Sequence, residues 1–264
     1  MIGKAGRFTT EKSGAFRRKR LAALFYSALA LGAGWGATTV ALFAVQSDWF
    51  RLGSVVVWLG VFLAIKKFLF PRMDEWRSQE ENYELGTEGE KRVAKILGKL
   101  PDDYYVINGL STDRGDLDHV VIGPTGVFVV DAKHWRGVVS SADGNGELLV
   151  NGKKTSKPYI SQFVGRMMGT RDLVLTHERD IDPFYQAIFA FTRAWLDVKP
   201  GSTGNVKCLR DDELLDYIEN EKHGKQLSPS EAGRIADVFR GIAHMDKGFA
   251  QPVPVPAAED LPPA

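Results

Sequence analysis

Hydrophobic and polar positions divide the chain into an apolar front and a soluble body. From residue 21 to residue 47 no side chain is charged. A helix rises about 1.5 Å per residue, so roughly 20 residues cross the hydrocarbon core of a bilayer, and this run is long enough. A second apolar run covers residues 52–65, with Phe68, Leu69 and Phe70 just beyond Lys66 and Lys67. Those two lysines can snorkel toward headgroups. Trp49, Phe50 and Arg51 lie between the runs, where interfacial aromatics belong. The pattern predicts transmembrane helices over 21–47 and 52–70, joined as a hairpin. The first run is longer than the apolar core of a cleaved signal peptide, and a second run follows it. Gly32 and Gly36 have the G-x-x-x-G spacing that lets helices approach closely, so a homo-oligomer through these helices is one expectation, and glycines that simply face lipid are the other.

Residues 73–85 are rich in charge and amides and read as a helical or flexible stalk. From Gly86 onward, Val93, Ile96, Leu97 and Leu100 recur at helical spacing until Pro101-Asp102-Asp103 stops the pattern. Residues 104–110 are β-branched and aromatic enough for a strand, and 111–115 read as a loop. Two β-rich runs then surround Gly123-Pro124-Thr125-Gly126, which predicts a hairpin. With the turn centred between Pro124 and Thr125, Asp118 faces Asp131 and Asp116 faces Lys133. Alternation puts Asp118, Asp131 and Lys133 on one face, and Leu117, Val121, Phe128 and Val130 on the other, against the core. A bulged three-residue loop would shift this register by one. A second hairpin is expected over 144–154, turning at Asn151-Gly152. Helices follow over 158–177, 211–220 and 228–244, with strands at 184–192 and 204–209. Ser228-Pro229-Ser230-Glu231 is a capping box. Residues 251–264 are proline-rich and predict a disordered tail.

Charge sharpens the division. The 264 residues carry a formal net charge of +1, yet residues 1–20 hold seven basic side chains against Glu11, and residues 21–72 hold Arg51, Lys66, Lys67 and Arg72 against Asp48. The body that follows is therefore acidic. The positive-inside bias places both termini in the cytoplasm at the cell (plasma or inner) membrane. A hydrophobic fraction of 44% and a charged fraction of 25% exclude a wholly disordered chain. One cysteine, Cys208, excludes a disulfide framework and any zinc site built from several thiolates. No phosphate-binding loop or serine nucleophile elbow occurs, and the five histidines show no metal-ligand spacing.

Chemistry concentrates on the first hairpin. Two carboxylates facing each other across a strand pair repel unless one is protonated or a cation lies between them. Hard oxygen donors suit Mg²⁺ or Mn²⁺, and a lysine beside such a metal can stabilise a phosphoryl transition state. A solvated Asp/Lys cross-strand ion pair fits the same spacing. The acidic balance of the body opposes strong nonspecific nucleic-acid binding, although Lys153, Lys154 and Lys157, followed by Arg166 and Arg171, form a local basic run. Trp135 is a candidate for stacking on a base or for packing.

Gly86-x-x-Gly89-Glu90-x-x-Val93, then Asp118-His119-Val120-Val121-Ile122-Gly123-Pro124-x-Gly126-Val127-Phe128-Val129-Val130-Asp131-x-Lys133, then Gly137, resembles the nuclease-related domain family, NERD. That family is similar to the PD-(D/E)xK nucleases. The resemblance implies an α/β fold, a mixed β-sheet flanked by helices in the restriction-endonuclease-like manner, over 86–220. A basic cytoplasmic segment 1–20, two transmembrane helices and the stalk precede it, and a helical extension 221–250 follows. It further implies a membrane-anchored nuclease acting on DNA or RNA with Mg²⁺ or Mn²⁺. By this resemblance Asp118 and Asp131 hold the metal, Glu90 completes the site directly or through water, and Lys133 serves the attacking water and the scissile phosphate. Asp131 stands where the family more often has Glu, and Glu88 competes with Glu90 for the helical role. Gln162 resembles a family glutamine that orients substrate or water, and reads equally as an exposed helix amide. A non-catalytic, membrane-tethered binding or scaffolding module with the same fold is the other reading. The spans carry no intramembrane charge, which argues against a transport pathway.

Overall fold

A computed structural model describes residues 1–45, 47–141, 146–198, 206–220 and 226–245. The expected tail, and the sequence between 246 and 250, lie outside the described residues. The chain divides into two compact units, Thr9–Leu85 on the one hand and Met1–Phe8 with Gly86–Ala264 on the other.

The first unit is helical. It contains most of α1 (Arg7–Ala44), then α2 (Asp48–Ala64), a π-helical turn (Ile65–Leu69) and the first part of α3 (Phe70–Leu97). Two helical stretches, Arg7–Ala44 and Asp48–Leu97, are long and apolar enough to cross a membrane, and their apolar windows are not buried within the chain. Phe25, Leu29, Phe43, Val56 and Phe62 all point outward. Such a surface is costly in water and natural in lipid. The first helix starts well before residue 21, and the segment 73–85 is helical. Within one chain the two helices come together at Gly34. A Cβ on Gly32 or Gly36 would meet nothing within 4 Å, whereas one on Gly34 would lie 3.3 Å from the Trp58 ring. Trp58 also donates its indole N–H to Thr38 Oγ1 at 3.3 Å.

The second unit is built on a five-stranded mixed sheet of order β1-β2-β3-β7-β9: β1 (Tyr105–Thr112), β2 (Gly115–Gly123), β3 (Gly126–Lys133), β7 (Tyr185–Phe191) and β9 (Val206–Arg210). β1, β2 and β3 are antiparallel neighbours, while β7 and β9 continue in parallel. On one face, Val120, Ile122, Val127 and Val129 pack with Phe163 and Met167 of α4 (Tyr159–His177) and with Ile235 and Phe239 of α6 (Pro229–Met245). On the other, Val121, Phe128 and Val130 pack with Val93 and Leu97 of α3 and with Leu214 and Ile218 of α5 (Leu214–Asn220). Helices on both faces bury β3 completely at Val127–Val130, which explains its unbroken apolar run. A smaller sheet of β4 (Val138–Ser141), β5 (Leu148–Val150), β6 (Lys153–Lys154) and β8 (Trp195–Asp197) has order β6-β5-β4-β8. Its β5–β6 hairpin turns at Asn151-Gly152, while β4 and β8 carry no strong pattern of their own.

The β2–β3 turn has two residues, Pro124 and Thr125, with Gly123 paired to Gly126. Gly126 has φ +139°, and a Cβ there would stand 2.7 Å from the Phe184 carbonyl oxygen, so only glycine fits. Thr125 pins the turn by donating to Ile218 O at 2.6 Å. This is the register the sequence predicts. One expected facing differs. Leu117 joins Val120 rather than Val121 and Phe128. The cause lies in its neighbour strand: Gly109, at φ +63°, turns Leu110 and its partner Leu117 toward the α4 side.

Candidate functional site

The paired part of the hairpin ends at His119 and Val130. One residue beyond, where the strands diverge, come Asp118 and Asp131. Asp118 accepts a hydrogen bond from the Ala132 N–H at 2.9 Å through Oδ2, closing the gap that a ladder bond would have closed. Its own neighbour His119 turns to the opposite face, is fully buried and donates Nδ1–H to Asn108 Oδ1 across 2.7 Å. Among the described residues its Nε2 has no hydrogen-bond partner. Burial therefore lowers the His119 pKa to about 3, so the ring is neutral and takes no part on the Asp118 side.

Asp131 is buried and carries two cationic partners. Lys133 Nζ bonds Oδ1, and Arg166 Nη2 bonds Oδ2 at 2.8 Å. Lys133 is half-buried in an aromatic enclosure, its Nζ lying 5.0 Å from the Phe189 ring centre and 5.1 Å from that of Tyr159. Cation–π attraction and the carboxylate together fix its position. Trp135 is part of this enclosure, edge-on to Tyr159 at 5.0 Å and to Phe191 at 5.6 Å, so it packs.

Arg166 reaches the site from α4. That helix is held at its start by Glu147, whose carboxylate accepts the N–H groups of Ile160 at 2.8 Å and Ser161 at 3.0 Å. A negative group at a helix N-terminus satisfies orphan donors and suits the dipole. Phe163, Met167 and Thr170 then face the core, and Arg166 lies on their flank. Besides Asp131 it bonds the Asp116 carbonyl oxygen at 2.8 Å. The sequence shows Arg166 only as part of a basic run; an arginine beside the apolar stripe of an amphipathic helix is the signal that marks it. Gln162, one turn earlier, has an exposed side chain.

The fourth group comes from α3. Glu90 is buried and accepts the Gly6 N–H at 2.9 Å through Oε2, whereas Glu88 is exposed and lies 3.8 Å from His134 Nε2. Gly89 lets this helix approach the end of β3, since a Cβ there would meet the His134 Cβ at 2.9 Å. Glu90 acts on Asp118 through its charge. The Asp118 pKa is raised well above the usual carboxylate range, first by burial and then by the charges of Asp131 and Glu90, with Lys133 opposing. For Asp131 burial also acts upward, but Lys133 and Arg166 outweigh it and hold the pKa below the ordinary value. The two aspartates are thus driven apart, one toward the neutral form and one ionised.

Asp118 is repelled by Asp131 and Glu90, and carboxylate oxygens are the donor type that suits a hard divalent cation. Against this, among the described residues no three His, Cys, Asp or Glu side chains are arranged as a metal-binding group. The cations that balance Asp131 in this structure are Lys133 and Arg166. The remaining basic candidates lie elsewhere: Lys153, Lys154 and Lys157 are exposed, and Arg171 is paired with Asp182 at 3.1 Å. Cys208 lies on β9, half-buried against the core.

Comparison with known proteins agrees on the domain. The model of the nuclease-related domain family, NERD, matches residues 85–191, which hold the end of α3, the hairpin, α4 and β7. An uncharacterized protein of Bacillus anthracis is 31% identical over 94 residues, covering 33% of this chain. The match covers only 41% of that relative's own length. No solved structure matches the chain. The chain therefore carries a NERD-like mixed β-sheet core, preceded in sequence by two long apolar helices.

Proposed function

We propose that this protein is a membrane-anchored nuclease whose site is formed by Glu90, Asp118, Asp131 and Lys133, with Gln162 serving substrate or water. What supports the reading is that Asp118 and Asp131 follow the paired ends of β2 and β3, that Lys133 bonds Asp131, and that the charges of Asp131, Glu90 and Lys133 all act on Asp118. Asp118 and Asp131, with Glu90, would hold Mg²⁺ or Mn²⁺. Such an ion, when bound, lowers the pKa of water and polarises a phosphodiester. Lys133 supplies positive charge for the phosphate and a hydrogen bond for the attacking water. The substrate class is nucleic acid, DNA or RNA.

Residues 1–8 and the domain from Gly86 onward lie in one compact unit. In this reading both flanks of the apolar hairpin lie on one side of a membrane, as an even number of crossings requires. The basic flanks make that side the cytoplasm.

The test is cleavage of a DNA and RNA panel by the full chain in detergent with Mg²⁺ or Mn²⁺. Asp131→Ala should abolish metal-dependent cleavage, and Lys133→Ala should lower it about 100-fold or more. Unchanged cleavage in Lys133→Ala removes the assignment. One observation favours a second reading: both Asp131 oxygens are held by cationic side chains. A non-catalytic module would keep that arrangement, and would bind partners without cleaving in the same assay.

A further inference from the structure

The main sheet does not end at β1. Ile2 lies parallel to Ile107, donating its N–H to Val106 O at 2.8 Å and accepting from Asn108 N–H at 2.8 Å. Residues 1–6 thus form a short arm along the open edge of the sheet. Glycines shape its seat. Gly109 has φ +63°, and a Cβ there would stand 2.8 Å from the Lys4 carbonyl oxygen. Gly6 has φ +75°, and its Cβ would meet Thr87 Cγ2 at 2.7 Å. A Cβ on Gly98 would meet Met1 Cε at 2.5 Å. The contact at Gly109 is backbone against side chain-free backbone, and nothing there can give way. Beyond the seat, Gly6 donates its N–H to Glu90 Oε2 at 2.9 Å in a buried bond.

We infer that residues 1–6 are a positioning arm of the candidate site, with the Gly6 N–H fixing the carboxylate of Glu90. This rests on the reading of Glu90 as the third acid. A buried carboxylate on a three-torsion side chain needs a fixed donor to hold one orientation. A backbone N–H immediately ahead of a helix is such a donor: it carries no side-chain entropy, and the helix dipole favours the negative charge. The arm also covers the edge of β1, where unpaired N–H and C=O groups would invite foreign strands. A fragment beginning at the stalk would lack both services.

The experiment uses the full chain in detergent. Four forms are compared: wild type, a deletion of residues 2–6, Glu90→Ala, and the deletion combined with Glu90→Ala. Amide hydrogen exchange and Mn²⁺ affinity by electron paramagnetic resonance are the readouts. In the wild type the amides of Gly6 and Asn108 should both be protected. Glu90→Ala should raise exchange at Gly6 about tenfold or more and leave Asn108 protected. The deletion should weaken Mn²⁺ binding about tenfold or more in the wild type, as loss of an outer-shell partner does, and leave the Glu90→Ala chain unchanged. If the deletion does not fold, Gly109→Ala displaces the arm without removing it and takes its place. Equal effects in both backgrounds, or Gly6 exchange indifferent to Glu90→Ala, would overturn the inference. A wild type that binds no Mn²⁺ removes the metal reading of the site, and exchange at Gly6 in Glu90→Ala then decides the arm by itself.

Discussion

Replacing Arg166 with alanine separates the two readings of the site. The guanidinium makes two charge-assisted hydrogen bonds, to Asp131 Oδ2 and to the Asp116 carbonyl, both at 2.8 Å. Bonds to charged groups contribute about 1.5–3 kcal/mol each when buried. The Arg166 side chain is 24% exposed and Asp131 only 6%, which discounts the sum. Lys133 remains on Asp131 Oδ1, so the carboxylate is not orphaned. A net loss of about 2–3 kcal/mol is expected without metal. For a domain of this size that lowers Tm by roughly 5–10 °C. The same change frees one Asp131 oxygen from a competing cation. Mn²⁺ should therefore bind Arg166→Ala more tightly than the wild type, and Mn²⁺ at about 100 times Kd should return roughly 2.7 kcal/mol of stability. Thermal unfolding of the detergent-solubilised chain, with and without Mn²⁺, reads both effects. An unchanged Tm without metal would mean that the ion pair contributes nothing. Weaker Mn²⁺ binding in the variant would mean that Arg166 supports the site and does not compete for it.

Four further outcomes follow from packing, capping and titration. Gly123→Ala should cost about 2–3 kcal/mol in thermal unfolding, because its Cβ would stand 2.2 Å from the ring of Tyr104, itself held by Thr125. Gly169→Ala should be neutral or stabilising by about 1 kcal/mol, because its Cβ meets only the flexible, exposed Arg114 side chain in a helix interior. His119 has a folded pKa of about 3, below its unfolded value of 6.5, so its contribution is complete above pH 6.5 and is lost as pH falls toward 3. That loss should amount to a few kcal/mol, seen in denaturant titrations across this range, and His119→Gln should flatten the profile. Ser228→Ala should destabilise α6 by about 1 kcal/mol, since Ser228 and Glu231 exchange bonds of 2.8 Å and 3.3 Å in a capping box.

The sequence made the hairpin legible because its turn leaves little choice. Gly126 must be glycine, and Val127–Val130 must be buried on both faces, so the register of Asp118 and Asp131 follows from the pattern. The same logic failed at Leu117. Its facing depends on the φ of Gly109, a residue in the neighbouring strand whose role is to admit the arm. An isolated glycine inside a strand pattern signals a close backbone approach, but not which backbone approaches. β4 and β8 leave no mark in the sequence because strands of four and three residues are too short to have a period to read. In the sequence Arg166 reads only as part of a basic run. Its partner Asp131 is 35 residues away, and only the seating of α4 on β7 through Phe163 and Phe189, stacked at 4.6 Å, brings the two together.

The central claim is that Asp118 and Asp131 jointly hold a divalent ion. Crystals of the full chain grown with Mn²⁺ and measured at the manganese absorption edge test it most directly. An anomalous peak within about 2.2 Å of one carboxylate oxygen from each aspartate is predicted. Strong peaks elsewhere with none between these two side chains, or Arg166 still bonded to Asp131 at saturating Mn²⁺, would contradict it.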